Sequence, residues 1–499
     1  MSSKLHTQKS KYRGILTLVM MLLLSFGSQI LSLFRSAVLA AQFGLSVEMD
    51  AYNFSNSIAS FFVSFVSTGV ITTVVPKYIE KSDKKSTNSF ITLIYGVLVC
   101  LVGAFLWIYE VLGQNIWQQN ATFADIVTTI MPLVLLANLI YSVTHITTAF
   151  FQSCEKYNIP KASNLIINVS VLFFIWFYNE LTVTTFVFIV ASGLIINALI
   201  DIFVALRMGW RYKPSFSFRS NEMKNMLRFF FPVLLSSGIY QLSLLIDSVL
   251  ASGLETGSLT ALSYSGQISN IINTVMVVNI ATYCYPKVIK KIKEQDKGQK
   301  YLWNAITFFH YVMCFIICCF ACVGKDVLGI FFERGNFDSK ATEMVFSCAL
   351  IYIFGQQANI VRDMLYRYFY ARENTRIVSF NSILVTVVKI GVSLVLTQFY
   401  GLYGLVLGTV IASFVSLIGI TIQFKIKFGF EVKYRHVLLR LLANECTMVA
   451  VFTTVTITKQ LLHMGNGVLS ISLYLCEIVV LYGVSLFFNK SLITQIKNI

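Results

Sequence analysis

The stretch DAYNFSNSIASFFVSFVSTGVITTVVPK, residues 50–77, returns as TALSYSGQISNIINTVMVVNIATYCYPK, residues 260–287. The two copies align without a gap, and each begins at the equivalent apolar segment of its half of the chain. Two shorter pairs repeat in the same order, residues 35–40 with 247–251 and residues 151–155 with 369–373. Each match is sparse, but three matches in one order indicate a duplicated unit.

Apolar segments continue on both sides of the two copies. The chain has 499 residues, of which 56% are hydrophobic and only 12% are charged, and this composition excludes an ordinary soluble protein. A membrane-spanning helix needs about 20 apolar residues, and about fourteen such windows follow one another from Ile15. The first window is long and lacks a small-residue cleavage site, so we interpret it as a span and not as a signal peptide. The longest loop, 207–222, leaves no room for a soluble catalytic domain.

The net charge of +16 reflects membrane topology and not nucleic-acid binding. Alternate loops and the two tails carry 31 of the 39 Lys and Arg residues, whereas the opposite side carries four and the spans carry four. Because basic loops face the cytoplasm, both termini are predicted to be cytoplasmic. That orientation requires an even number of spans and is consistent with fourteen.

We therefore predict an all-α integral membrane protein with about fourteen transmembrane helices. Two parallel six-helix repeats, with the substrate at their interface, are followed by two extra helices. The predicted parts are a cytoplasmic tail (1–14), an N-lobe of spans 1–6 (15–206), a linker (207–223), a C-lobe of spans 7–12 (224–428), spans 13–14 (434–488) and a second cytoplasmic tail (489–499).

Polar side chains at helical spacing mark the same two spans of each repeat. One such stripe is typical of helix packing, but four equivalent stripes favour a shared hydrated cavity. The stripes comprise Ser28, Gln29, Ser32, Arg35 and Ser36 in span 1; Asn53, Asn56, Ser57, Ser60, Ser64 and Ser67 in span 2; Ser237, Tyr240, Gln241, Asp247 and Ser248 in span 7; and Ser263, Gln267, Asn270, Asn273 and Thr274 in span 8.

Charged residues inside spans are costly and indicate function or pairing. Arg35 has a permanently charged planar fork that suits diphosphate oxygens. The alternative is a structural ion pair with Asp50 or Asp247. Asp247 in span 7 and Lys389 in span 11 would lower their cost by pairing, either as a structural tie or as a site where a coupling proton acts.

Cys314, Cys318, Cys319 and Cys322 form a cluster at helical spacing. A metal or redox site is one interpretation. We find no partnering His or carboxylate in the pattern and therefore predict free thiols in a packed helix. His310 is predicted to be buried and hydrogen-bonded, and Glu445 on span 13 is expected to pair with a nearby Lys or Arg or to face a groove. No nucleotide or zinc motif is present, so we predict no metal and no cofactor.

Several segments resemble the MurJ (MviN) family of lipid II flippases. FRSAVLAAQFG at 34–44 and the short segments Asp50-Ala51-Tyr52, Ser67-Thr68-Gly69 and Val75-Pro76 resemble the family's first two helices. FFERGNF at 331–337 and YFYARENT at 368–375 resemble its loop before helix 10 and its helix 10–11 turn. The resemblance runs through spans 1–12 in order, and that family also has fourteen helices.

The resemblance implies alternating access of two lobes that carry an undecaprenyl-diphosphate-linked saccharide from the cytoplasmic to the outer leaflet. Its lipid tail would follow a groove beside spans 13–14. Arg35 and Asp50 match the family's cationic and acidic positions, whereas Gln29, Val63 and Gln267 stand where further arginines are usual. The predicted substrate-binding residues are Arg35, Asp50, Gln29, Asn53, Gln267 and Asn270.

Lys389 also departs from the family, many members of which have an Asn in helix 11 near a sodium site that involves the acid of span 7. A tethered ammonium group would repel a cation, so we predict that this sodium site is not used.

Three other functions remain open from the sequence. The sparse cationic lining is compatible with a flippase for a capsular or teichoic-type (Wzx-type) repeat unit. A multidrug or cation antiporter of the same superfamily would export small molecules and would not need spans 13–14. A membrane-embedded glycosyl- or acyltransferase would need a catalytic carboxylate or His at a membrane face, and the loops offer no convincing set. Predicted partners of the flippase are a lipid-linked saccharide diphosphate, membrane lipid and a cell-wall or capsule polymerase; we expect a monomer in the bacterial cytoplasmic membrane.

Overall fold

The fold consists of α-helices in the computed structural model. The structure describes residues 2–79, 84–116, 121–178, 180–217, 220–274, 298–372, 374–462 and 467–488, and these contain no strand. The second half of the repeated stretch at 260–287 and the tail 489–499 lie outside the described residues. The helices are α1 Ser2–Phe43, α2 Val47–Ile79, α3 Lys84–Ile116, α4 Ala121–Tyr141, α5 Thr144–Ser153, α6 Asn158–Phe177, α7 Val183–Arg207, α8 Asn221–Ser252, α9 Ser258–Ile272, α10 Gly298–Phe332, α11 Ser339–Ala371, α12 Thr375–Phe428, α13 Tyr434–Leu462 and α14 Val468–Phe488.

Twelve helices of the described residues are long and apolar enough to cross a membrane. One of them, α12, has 54 residues and is interrupted at Gly401, where φ is +54°. About 20 residues suffice for one crossing, so the two arms of α12 are long enough for two. The prediction of an all-α, multi-pass membrane protein is confirmed, and the predicted count of about fourteen spans is approximately correct.

Polar residues fix the starts of several helices. The side chains of Thr182, Ser220 and Asp338 accept hydrogen bonds from backbone N–H groups three residues later. Such N-caps satisfy donors that a helix leaves unpaired in its first turn. In α8 the cap at Ser220 is followed by Glu222 in the first turn. The negative charge of Glu222 stabilises this helix N-terminus through the helix dipole.

Predicted span 4 is a broken helix, because α4 ends at Tyr141 and α5 begins at Thr144. Ser142 and Val143 form the turn between them. The hydroxyl of Tyr95 on α3 donates a hydrogen bond to the carbonyl of Ser142. Broken backbone at membrane depth is tolerated where protein or a cavity satisfies its polar groups, and this turn has such a partner.

The chain divides into two compact units, an N-terminal unit of residues 1–260 and a C-terminal unit of residues 261–499. In the N-terminal unit α2 packs against α4, α5 and α8, while α1 packs against α6 and α4 against α7. Its core includes Val127, Met131, Phe151 and Phe186. Because α8 packs on α2, it belongs to the N-terminal unit, although the sequence assigns span 7 to the C-lobe; the predicted lobe boundaries describe the repeat and stay a prediction.

The C-terminal unit is built around α10, α11 and α12, with α13 and α14 packed against α10. Two polar contacts join α10 to α13: His310 lies 3.3 Å from Glu445, and Asp326 lies 2.6 Å from Lys459. Both contacts advance in the same direction along the two helices, so α10 and α13 run parallel. This direction agrees with their odd ordinal numbers as spans 9 and 13.

Candidate functional site

Asp50, in the first turn of α2, is bound to the start of α9. Its Oδ2 accepts a hydrogen bond from the Gly257 amide at 2.6 Å. Its Oδ1 accepts from the Thr260 amide at 2.8 Å and from the Thr260 hydroxyl at 2.6 Å. Asp50 is only 5% exposed. The carboxylate thus satisfies the unpaired donors of a helix N-terminus that is distant in sequence.

Neighbouring residues of α2 extend the contacts made by Asp50. The amide of Asn53 donates to the Thr260 hydroxyl at 3.3 Å, and Ser57 accepts from Ser248 of α8 at 2.9 Å. The polar stripe predicted for span 2 therefore joins α2 to the ends of α8 and α9. This helix-tying role was not anticipated for Asp50 and Asn53, and their contact with substrate stays a prediction.

Arg35 of α1 belongs to a chain of hydrogen bonds within the N-terminal unit. Its Nη1 donates to Oδ1 of Asn168 on α6 at 3.4 Å. The Asn168 amide donates to Oδ1 of Asn164 at 2.8 Å, and the Asn164 amide donates to the Tyr141 hydroxyl at 3.2 Å. In the part of the chain that the structure describes, Arg35 forms no ion pair with Asp50 or Asp247. The guanidinium charge is therefore held by a neutral amide.

The far end of this chain opens into a cavity of about 370 Å³ within the N-terminal unit. Its walls come from α1, from the break between α4 and α5, and from α6 and α7, and they are rich in polar groups. Lining residues include Ser28, Gln29, Tyr141, Thr144, His145, Lys161, Asn164, Asn197 and Asp201. The predicted position of Gln29 beside a polar cavity is consistent with this geometry. The cavity predicted between spans 1, 2, 7 and 8 would have different walls and stays a prediction.

Opposite charges face this cavity from neighbouring helices. Lys161 of α6 donates to the Ser25 hydroxyl at 2.6 Å, and Asp201 of α7 accepts from the Ser163 hydroxyl at 2.6 Å. Asn197 lies one turn before Asp201, is 2% exposed, and has an Oδ1 atom without a hydrogen-bond partner. The cavity therefore offers donors, acceptors and both signs of charge, which suits a polar, many-hydroxyl ligand.

The remaining predicted site residues lie elsewhere. Gln267 and Asn270 lie on the later part of α9, which belongs to the C-terminal unit, whereas Gly257 and Thr260 belong to the N-terminal unit; Gln267 is half-buried and Asn270 is exposed. Asp247 is buried on α8 of the N-terminal unit, and Lys389 is buried on α12 of the C-terminal unit. Pairing between Asp247 and Lys389 stays a prediction. The side chain of Ser237, in the predicted stripe of span 7, lies outside the described residues.

Sequence reasoning missed two parts of this site. Asp201 is an ionisable residue inside predicted span 6, which by itself is a signal of function in a membrane protein. Asn164 and Asn168 are four residues apart in span 5, a spacing that places them on one helix face. Both signals were readable before the structure was known.

A family model described as "Lipid II flippase MurJ" matches residues 39–477. A probable lipid II flippase MurJ of Rickettsia prowazekii (strain Madrid E) is 22% identical, over 96% of this chain and 97% of that protein. A second probable lipid II flippase MurJ, from Borreliella burgdorferi, is also 22% identical, over 81% of this chain and 82% of that protein. The similarity therefore extends along most of the length of both relatives.

Solved structures show the same fold. A lipid II flippase MurJ in an inward closed conformation superimposes with a TM-score of 0.80 at 18% identity, covering 95% of this chain and all of that chain. An inward-facing multidrug resistance MATE family transporter of the MOP superfamily superimposes with a TM-score of 0.60 at 14% identity, over 84% of this chain and 96% of that chain. At these identities the superpositions establish the fold alone.

Proposed function

We infer the function of this chain from its family, because it belongs to the lipid II flippase MurJ family. It is a multi-pass protein of the bacterial inner membrane that moves lipid II, a lipid-linked saccharide diphosphate, across the bilayer for peptidoglycan synthesis. Alternating access carries the cargo from the cytoplasmic to the outer leaflet. The substrate and the surrounding membrane lipid are its partners.

We assign the diphosphate of the cargo to Arg35. One observation supports this: the guanidinium is held by the neutral amide of Asn168 and by no carboxylate of the described residues. Its positive charge is therefore available to an anion. A guanidinium binds two phosphate oxygens through parallel N–H groups, and such charge-assisted bonds are about twice as strong as neutral ones.

The polar cavity of the N-terminal unit would receive part of the saccharide. Its volume of about 370 Å³ is near the lower end of the range of about 300–1,000 Å³ that is typical of small-molecule sites. Hydroxyl and amide groups from Gln29, Tyr141 and Asn164 line it and suit sugar hydroxyls. Because Asn164 and Asn168 connect the cavity to Arg35, sugar and diphosphate would bind along one continuous polar surface.

The lipid tail is assigned to an apolar cavity in the C-terminal unit. This cavity has a volume of about 530 Å³ and is lined by apolar groups of α10, α11, α12 and α13. Met448, Val449 and Phe452 contribute the wall from α13, one of the two helices outside the repeat. The tail would follow this surface while the head group crosses elsewhere. This use of α13 separates a lipid transporter from an antiporter of small molecules.

Further properties follow as proposals. The chain catalyses no covalent step of its own, acts as a monomer, and has both termini in the cytoplasm. Cell-wall or capsule polymerases consume its product. The buried ammonium group of Lys389 would repel a cation bound beside it, so transport does not depend on sodium at that position.

Transport in proteoliposomes tests this function directly. The purified chain is expected to move fluorescent lipid II in the presence of sodium, and equally well when potassium replaces sodium. If the chain moved a lipid-linked capsular repeat unit but not lipid II, the proposed cargo would be wrong. If it exported cationic dyes instead, the chain would be an antiporter. Loss of transport in potassium would contradict only the statement about sodium.

Asn168→Ala is expected to slow lipid II transport by about 2- to 10-fold, the effect of one neutral hydrogen bond of about 0.5–1.5 kcal/mol. The amide orients the Arg35 guanidinium, and without it the fork would sample other directions. Ser170→Ala is the matched control, because that hydroxyl donates to Ile166 of its own helix. Equal transport rates in the two variants, at equal membrane abundance, would remove Asn168 from the site.

A further inference from the structure

Three potential metal ligands meet where α13 packs on α10. Sγ of Cys314 lies 3.7 Å from Nδ1 of His310 and 3.9 Å from Oε1 of Glu445. Nε2 of His310 lies 3.3 Å from the same carboxylate oxygen. One ligand atom from each residue lies within 4.8 Å of the other two. The cysteine pattern predicted no partnering His or carboxylate, and for Cys314 that prediction is wrong.

These separations are close to those of a tetrahedral metal site. Two ligands of a zinc ion, at about 2.3 Å for sulfur and about 2.0–2.1 Å for nitrogen or oxygen, lie about 3.5 Å apart. The two contacts of the Cys314 sulfur are a few tenths of an ångström longer, and a single imidazole nitrogen lies within 4.8 Å of both other ligand atoms. Small side-chain rotations would therefore close the site around an ion.

The ligand set selects the class of metal. Thiolate and imidazole ligands with one carboxylate are typical of Zn²⁺, whereas Mg²⁺ and Ca²⁺ prefer oxygen ligands. Burial also differs among the three ligands: His310 and Cys314 are buried, whereas the Glu445 side chain is 31% exposed. The cluster supplies three ligands, so a tetrahedral ion would need a fourth from outside it.

Neighbouring side chains contact two of the three ligands. The Asn444 amide nitrogen donates to the Thr307 carbonyl at 3.0 Å and is also within hydrogen-bond distance, 3.4 Å, of Nδ1 of His310. The Gln357 amide lies 3.9 Å from Sγ of Cys314, a contact that would stabilise a thiolate. Outer contacts of this kind orient metal ligands and raise affinity.

We propose that His310, Cys314 and Glu445 form a zinc site that ties α13 to α10. Within the described residues, this is the one cluster of His, Cys and acidic groups close enough to share an ion. Asp326 and Lys459 already join the same two helices farther along. A bound ion would therefore fix α13 at a second point, beside the apolar cavity that α13 helps to line.

Cobalt binding to the purified full-length chain tests this site. After removal of metal by a chelator, Co²⁺ is expected to bind at one equivalent and to produce the charge-transfer absorption of a cobalt–thiolate bond. Cys314→Ser, which is nearly isosteric, should abolish that band. His310→Ala and Glu445→Gln should weaken cobalt binding by about 10–100-fold or more.

Cys318→Ser is the matched control, since Cys318 is buried one turn farther along the same helix and is not part of the cluster. It is expected to bind cobalt as the unchanged chain does. Absence of a thiolate band in the unchanged chain, or an undiminished band in Cys314→Ser, would overturn the proposal. Lipid II transport measured on the same samples separates the two conclusions, because a chain that transports without binding cobalt keeps its function and loses only this site.

Discussion

Arg35→Ala is expected to lower lipid II transport by about 10- to 150-fold, which corresponds to the loss of a charged hydrogen bond of about 1.5–3 kcal/mol. The Arg35 guanidinium is hydrogen-bonded to the neutral amide of Asn168 within the N-terminal unit. Its removal takes away the charged group that would bind the diphosphate. Initial rates of fluorescent lipid II transport in proteoliposomes measure the effect. Arg35→Lys should recover part of the rate, because an ammonium group supplies the charge without the planar fork.

Arg334→Ala is the control for the loss of an arginine. Arg334 is exposed, and its guanidinium donates to the Ile330 carbonyl of the preceding helix end. This variant should transport lipid II at the unchanged rate. If Arg35→Ala also did so at the same membrane abundance, the diphosphate would have to bind elsewhere.

Asp50→Ala is expected to lower the free energy of unfolding by at least about 1–3 kcal/mol, the typical cost of leaving a buried hydrogen-bond donor without its acceptor. Three donors, the amides of Gly257 and Thr260 and the Thr260 hydroxyl, would lose their acceptor. Thermal unfolding of the purified chain in detergent measures the change as a lower midpoint temperature. The midpoint temperature of Asp50→Asn should lie between those of the unchanged chain and of Asp50→Ala, because an amide keeps one acceptor oxygen and loses the negative charge.

Glu48→Gln provides the comparison within the same helical turn. Glu48 also lies in the first turn of α2, where a negative charge contributes less than about 1 kcal/mol through the helix dipole. Its replacement should therefore barely move the midpoint. Similar midpoints for Asp50→Ala and Glu48→Gln would show that the contacts to α9 contribute little, and would return Asp50 to the role predicted from the sequence.

The fold class followed from the sequence because a bilayer imposes a strict pattern. Long apolar segments and the one-sided distribution of Lys and Arg predicted a multi-pass helical protein, as the structure shows. The breaks within helices were harder to predict from the sequence. The break at Ser142 and the interruption at Gly401 leave only a slight trace in an apolar profile, because both segments remain apolar on either side.

The site was partly predictable. Arg35 and Gln29 stand out in the sequence because polar side chains at helical spacing are conspicuous in an apolar segment, and their contact with substrate stays a prediction. The partners of Asp50 do not stand out, since two of its three donors are backbone N–H groups, which every sequence contains. Glu445 likewise lies 131 residues after Cys314, and no local pattern connects them.

The bond between Asp50 and Gly257 also constrains the order of assembly. The two residues are 207 positions apart in the chain. At about 5–20 residues per second, a ribosome makes α2 roughly 10–40 s before the start of α9 exists. During that interval the Asp50 carboxylate must be sheltered by water, lipid head groups or the insertion machinery. The first helices of this transporter therefore insert into the membrane before the helix end that binds Asp50 has been synthesised.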